Sequence, residues 1–474
     1  MVILIDAPGC LQQANYFGMS QTPTEKSTRK ATGKLLIKIY FGIFLVLILL
    51  WGIILGVHLL DLYRLAKSLN DDPSQIQAQN IGPTINEAAH DVNAIYSQIK
   101  PLFPFLNAIQ GLPLTGEYLG QVEPLLTYAD GLASAGKEIA LGLEPLLEEK
   151  SSSQIDLTLP EHASQVLLSS QAHFMTAAQS IEQASKVRNR INPDLMPHSV
   201  RLLFLKIDGK FDSLVAGGQF LQEAPSLLGV NQAQNYLVLA QNRDELRATG
   251  GFISGIGLLT FQNGKILQFT LGDSYVIDDF SKPYPTPPGA LNRFMLADYW
   301  VTRDANWSPD FPTTAKEAQA LYTLSTGVET QGVIAFNQLA IQKVLEVIGP
   351  VQVPETDEPV TAENVENYMR QAWAPAPEEG LSQEWWLHRK DFMPQLGNVI
   401  LEKVLASDDQ DQLLRLAKTI LDLLDQGQLL VYFNDPIAQA ALDEGGWDGG
   451  LHPGNDDYLY LVDSNVGFNK VDSV

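Results

Sequence analysis

The chain has 474 residues and a formal net charge of −24. A surface this acidic excludes a nucleic-acid binder, because phosphate backbones need Lys and Arg to meet them. The single cysteine, Cys10, excludes an intramolecular disulfide, and seven scattered His with no CxxC exclude the usual zinc patterns.

Residues 1–34 read as a polar cytoplasmic tail with Lys26, Arg29, Lys30 and Lys34 near its end. Residues 35–60 read as one transmembrane helix. Its centre, residues 39–60, holds no Asp, Glu, Lys or Arg, and 22 residues are enough to cross a bilayer. The run is too long and too far from the start for a signal peptide. Five Lys or Arg precede it closely, counting Lys38, and the positive-inside rule places the N-terminus in the cytoplasm. The rest would lie outside the cytoplasm, at the plasma membrane of a cell with an envelope.

Residues 61–230 read as an extracytoplasmic helical stalk or bundle. Pro101, Pro104, Pro113, Pro124 and Pro145 cut it into short helices. A longer helix is expected over residues 161–188, where Leu167, Phe174 and Ile181 step by seven beside a row of Ala and Ser. That stripe is either core or an oligomer seam. Lys186, Arg188, Arg190, Arg201 and Lys206 read as a loose basic, solvated face.

Residues 231–474 read as an α/β domain, with a core over 231–353 and a helical insertion and final strands over 354–474. An apolar strand over 235–241 is followed by the loop NRDELRATGG. A second strand then turns at Asn263-Gly264, the dipeptide that accepts the positive φ of a tight hairpin. Residues 276–312 form a long segment rich in Pro and aromatics. Thr314 and Glu317 suggest a capping box opening a helix. GVIAFN reads as a strand, residues 338–348 as a helix, and residues 351–353 as a short strand. Helices follow over 361–373, 383–406 and 409–426, then the strand LLVYF, a helix capped by Asp435, and a last strand in DYLYLVDSNVG. Alternating strands and helices imply a sheet covered by helices.

No GxSxG, P-loop or GxGxxG is present, and no cysteine follows the apolar run. The sharper chemistry is phosphate handling. Arginine forks match phosphate oxygens, and carboxylates can hold Mg²⁺ against the same oxygens. Arg243, Asp244, Glu245 and Arg247 crowd the loop. Asp273 ends the next strand pair, and Arg303, Asp304, Trp307 and Asp310 stand in the long segment. The alternative is structural: Arg247 pairs with Asp244 or Glu245 and ties the loop down.

The strings NYLVLAQNRDELRATGGFISGIGLLTFQNGKI, RDANWSPDFPTTAKEAQALY, GVIAFNQLAIQKVLEVIGPVQV and DYLYLVDSNVG resemble, in that order, the bacterial membrane-protein family called domain of unknown function 4012. That family is in turn distantly similar to the LytR-CpsA-Psr enzymes, anchored phosphotransferases that move glycopolymers from a lipid pyrophosphate carrier to the cell wall. The resemblance implies a mixed sheet flanked by helices, after one transmembrane helix and a helical stalk. It also implies a domain that binds, and transfers, a polyprenyl-pyrophosphate-linked glycan, and a further C-terminal segment. Arg247 carries over to the arginine of the arginine-serine-aspartate step. Read with the crowded charges beside it, Arg247 heads a candidate catalytic set with Asp244, Glu245 and Asp273, and Arg243, Arg303, Asp304, Asp310 and Trp307 are the candidate substrate contacts. The sequence departs from the enzymes at Ala248-Thr249, where they have Ser-Asp. It departs again at Gly272-Asp273-Ser274, which keeps the aspartate but lacks the arginine before it; Arg303 is the candidate replacement. The other reading is a non-catalytic envelope scaffold or adhesion module.

Protease added to intact cells is expected to digest the region beyond residue 60 and spare the N-terminal tail. Digestion of the tail alone would reverse the orientation.

Overall fold

The structure, a computed structural model, describes residues 25–71, 78–113, 115–147, 159–373, 390–454 and 457–467. It divides into two units, Met1–Leu60 and Asp61–Val474. The first is dominated by α1 (Glu25–Asp71), whose stretch Tyr40–Leu65 is, among the described residues, the one helix long and apolar enough to cross a membrane. Its side chains are exposed on every face, unlike those of a soluble core helix.

The second unit opens with a bundle. Its helices are α2 (Ala78–Ile99), α3 (Phe103–Ala108), α4 (Gly116–Gly120), α5 (Val122–Leu147), α6 (Leu159–Ser169), α7 (Gln171–Arg188), α8 (His198–Asp208) and α9 (Phe211–Leu227). α5 packs on both α2 and α7. The seven-residue stripe is core: Leu167, Phe174, Ile181, Ala177 and Ala184 are all buried within the chain. Small residues let the helices approach closely, since a Cβ at Gly131 would stand 2.7 Å from the Ser180 carbonyl oxygen. The single helix expected over 161–188 is two helices. Ser170 breaks it by turning its hydroxyl to the Gly142 carbonyl at 2.8 Å, a local bond that competes with the helix ladder.

The α/β part follows as β1 (Gln234–Asn242), β2 (Phe252–Gln262), β3 (Lys265–Asp273), α10 (Gly289–Met295), α11 (Phe311–Thr326), β4 (Gly332–Asn337), α12 (Gln338–Ile348), α13 (Val365–Trp373), α14 (Phe392–Leu405), α15 (Gln410–Asp425), β5 (Leu429–Phe433) and α16 (Pro436–Gly445). The expected mixed sheet is present, with strand order β3-β2-β1-β4-β5. β1 pairs parallel with β4, and every other pair is antiparallel. The β2–β3 turn uses Asn263 and Gly264 at φ 52° and 76°, as the dipeptide requires. β1 is apolar throughout because both sheet faces are covered. Leu237 and Leu239 face α11 and the 274–312 segment; Val238 and Ala240 face α12, α13 and α14.

Four expectations are corrected. α11 is capped by Asp310, not Thr314; Asp310 Oδ2 accepts the Thr313 N–H at 3.0 Å, while Thr314 is buried a turn later. Residues 351–353 contribute only a bridge between Val351 and Val360. Of the helix expected over 383–406, residues 383–389 lie outside the described residues, and among those described α14 begins at Phe392. Residues 457–467 form no strand. β-propensity expresses fit against a neighbouring strand, and this segment lies against the loop after β1, where the Asn465 N–H bonds the Leu246 carbonyl at 3.0 Å.

That loop closes at Gly251, with φ 152°, and a Cβ there would stand 2.3 Å from the Asn242 carbonyl oxygen. Gly251→Ala is expected to cost on the order of 2 kcal/mol in denaturant unfolding. An unchanged midpoint would show that the turn has room the geometry denies.

Candidate functional site

β1 and β4 run parallel, so their carboxyl ends open at the same edge of the sheet, where open α/β sheets place their ligands. The loop of residues 242–251 leaves β1 there. Its start is pinned by the β4–α12 junction. Asn242 Oδ1 accepts from Gln338 Nε2 at 2.6 Å and from the Asp244 N–H at 3.0 Å; Gln338 Oε1 accepts the Arg243 N–H at 2.9 Å. Asn306 holds the far end by donating to the Gly251 carbonyl at 2.7 Å.

Inside this frame the charges fall into three groups. In the first, the Arg247 side chain is 2% exposed. It lies 2.9 Å from Glu245 and 3.7 Å from Asp304. It donates to the Leu246 and Asn465 carbonyls and lies over the Phe252 ring. Burial pushes the Asp304 carboxyl above the ordinary carboxylate range, against the pull of Arg303 and Arg247.

The second group gathers at the end of β3. Lys390 is buried, pairs with Asp273 at 2.7 Å and donates to the Ser254 carbonyl. Arg303 pairs at 2.8 Å with Asp278, whose side chain is fully buried. Both cations lie near the Tyr275 ring, which is 4.5 Å from the Arg303 guanidinium and 5.5 Å from Lys390 Nζ. In the third group, Asp244 receives a forked contact from Arg370 at 3.1 and 3.2 Å.

The structure thus joins Arg247, Glu245 and Asp304, and joins Arg303 to Asp273 through Tyr275 and Lys390. It separates Asp244 from Arg247 by giving it Arg370. Arg243 is exposed, Trp307 is half-buried, and Asp310 is occupied as the α11 cap, where its bonds to Thr313 and Leu451 hold its carboxyl below the usual range. Lys390, Tyr275, Asp278 and Arg370 were not found from the sequence. Lys390 belongs to no motif and is distant in the chain. Asp278 carried a signal, an acidic pair inside an apolar and aromatic run.

Several polar atoms here are buried without a hydrogen-bond partner: Arg247 Nε, Ser274 Oγ, Thr302 Oγ1, Asp304 Oδ1 and Asn306 Oδ1. Native interiors leave few such atoms. The carboxylates do not fit Mg²⁺, which needs several oxygens around one point. Glu245, Asp244, Asp273 and Asp278 each face a different cation instead.

A cavity of about 370 Å³ lies between the outer sheet face and α12, α14 and α15, lined wholly by apolar residues that include Phe269, Leu271, Val344, Met393, Leu396 and Ile420. Asp273 lies on the same face of β3 as Leu271, two residues on. The Met393 N–H bonds the Lys390 carbonyl at 3.1 Å. The Lys390–Asp273 pair is thus tied through the backbone to Leu271 and Met393, which line the cavity, without lining it itself. Arg247 is not among the residues that line it.

The model of a family described as a protein of unknown function, DUF4012, matches residues 231–373, which bears out the resemblance read from the sequence. No curated protein matches the chain. Among solved structures, the Lin1025 protein from Listeria innocua is similar at 12% identity, over 46% of this chain and 78% of that one, with a TM-score of 0.25. B. subtilis TagV is similar at 10% identity, over 46% and 80%, with a TM-score of 0.26.

The raised Asp304 carboxyl sets a direction for stability. The folded state holds its proton to higher pH than the unfolded state, so stability falls as pH rises from the ordinary carboxylate range through the folded value. Relative to the parent, Asp304→Asn is expected to gain unfolding temperature as pH rises from about 4 towards 7, on top of a pH-independent loss from the Arg247 pair. A difference that does not change with pH would remove the carboxyl as its cause.

Proposed function

We propose that this chain is a single-pass envelope protein whose α/β domain binds a polyprenyl-phosphate or polyprenyl-pyrophosphate-linked glycan. The observation that carries this reading is the wholly apolar cavity, two of whose lining residues, Leu271 and Met393, lead through the backbone to the buried Lys390–Asp273 pair. About 370 Å³ falls within the usual size range of small-molecule pockets. An isoprenoid chain gains about 0.8 kcal/mol for each methylene it buries. Its phosphate then meets Lys390 and, beside Tyr275, Arg303. Two unpartnered buried hydroxyls next in the chain to Asp273 and Arg303, Ser274 Oγ and Thr302 Oγ1, support a polar headgroup there. α1 supplies the anchor, and the basic residues ahead of its apolar stretch supply the orientation, N-terminus inside.

Transfer is the finer claim. Phosphoryl transfer needs positioning and charge neutralisation more than a covalent nucleophile. In this reading the incoming phosphate takes Lys390 from Asp273. The released carboxylate then stands beside the phosphate and accepts the proton of an acceptor hydroxyl, whose oxygen bonds to the glycan-bearing phosphorus of the pyrophosphate while that phosphorus's bond to the bridging oxygen breaks and polyprenyl phosphate leaves. Arg247, the residue the resemblance singled out, holds the loop rather than the phosphate.

A scaffold without a ligand is the second reading, and one observation favours it: Arg247, Glu245 and Asp304 are turned inward on one another. The two readings part at the cavity. Val344→Trp, which fills it, is expected to weaken binding of a polyprenyl pyrophosphate to the full chain in nanodiscs at least about tenfold, with the unfolding temperature unchanged. Lys390→Gln should weaken the pyrophosphate more than the corresponding free alcohol. Parent-like binding by both variants would sink the proposal.

A further inference from the structure

The helical bundle carries an apolar surface that the cavity reading leaves unused. α8 turns one aromatic inward, Phe204, which packs on Tyr128 of α5 with ring centroids 5.5 Å apart. Leu202, Leu203 and Leu205 lie away from that side of the helix, while Val200 and Ile207 flank Phe204. Leu202 is 55% exposed and Leu203 51%, with Leu205, Ile207 and Val200 exposed beside them. A helix of a soluble domain puts such residues on its core face.

The α3–α4 region repeats the pattern. Phe105 is 63% exposed, and Leu102, Leu112 and Tyr118 are exposed with it. The two segments belong to one end of the bundle. Gln121, just after α4, accepts the Asn192 N–H at 2.7 Å, ahead of α8. Glu123 takes Asn107 of α3 and lies 3.7 Å from Arg190.

Basic residues gather at this end, although Glu123, Glu182, Asp212 and Asp425 from outside the stretch pair with four of them. The chain is −24 overall, yet residues 186–210 hold six Lys or Arg against two Asp. On the exposed part, Arg201 and Lys210 pair only with exposed or half-exposed carboxylates, of Asp194 and Asp425. Such surface pairs hold weakly and exchange readily for another anion. Lys206 stands between Leu202 and Leu203 on the helical wheel.

We propose that α8 and the α3–α4 turn form a docking surface for an anionic lipid bilayer. Aliphatic and aromatic side chains enter the headgroup boundary while Arg201, Lys206 and Lys210 meet lipid phosphates. A second copy fits this face poorly, because a two-fold contact would set the same basic residues against each other. The inference does not rest on the cavity. It concerns a surface of the bundle, and its failure would leave the lipid-glycan reading as it stands.

The test uses the full chain with Cys10→Ser and one reporter cysteine, Leu203→Cys or Phe105→Cys, carrying a bimane and reconstituted in vesicles. With phosphatidylglycerol in the vesicles, doxyl groups on the lipid chains are expected to quench both probes about twofold more than in pure phosphatidylcholine. Lys206→Glu with Lys210→Glu should abolish that difference without lowering the unfolding temperature. Probes reached freely by aqueous iodide in the anionic vesicles would overturn the proposal. So would quenching indifferent to lipid charge, or protection that follows protein concentration in detergent, which assigns the face to a second copy.

Discussion

A guanidinium removed from water costs several kcal/mol unless its surroundings replace what water gave. Arg247 is held under that constraint, and three distant parts of the chain answer it. The loop after β1 gives Glu245 and the Leu246 carbonyl, the 274–312 segment gives Asp304, and the C-terminal segment gives the Asn465 carbonyl. The long segment, which sequence alone leaves as a structureless run, is thereby fastened to the carboxyl ends of β1 and β4. The Gly250-Gly251 turn and the Asn242–Gln338 bonds complete the clasp from the other side.

Fastening that corner leaves the end of β3 to do other work. There the charges are paired differently: an ammonium and a guanidinium both lie near one tyrosine ring, each with its own carboxylate. The adjacent sheet face and α12, α14 and α15 leave an apolar cavity between them. An apolar cavity tied through the backbone to a buried cation suits an amphiphile with an anionic head. The helical bundle adds a second apolar surface, edged with basic charge, on a chain that already carries a membrane-length helix.

Much of the fold was legible because local rules and global packing agreed. β4, α12, β5 and the Asp435-Pro436 cap of α16 stand where periodicity and capping chemistry put them. Sequence reading failed where a long-range contact overrode local preference. Ser170 bonds across to Gly142, Asp310 outcompetes Thr314 as the cap, and Tyr458–Val462 meet no strand edge. The site was half legible. The loop charges were found, but their partners came from remote positions: Arg370 for Asp244, Asp278 for Arg303, Lys390 for Asp273. No spacing rule links residues as far apart as Arg370 and Asp244 or Lys390 and Asp273, and Lys390 was therefore invisible to motif reading. The choice between a phosphate-gripping and a loop-tying Arg247 needed burial, which sequence does not display.

The central claim is that a lipid-linked anion enters at the β3 end of the sheet and not at the Arg247 loop. Photo-crosslinking tests it most directly. A polyprenyl phosphate bearing a diazirine on its apolar chain, added to the full protein in nanodiscs and followed by peptide mapping, should label β3 and α14. Labelling confined to residues 242–251, or none above that of a vesicle-embedded control protein, would contradict the account.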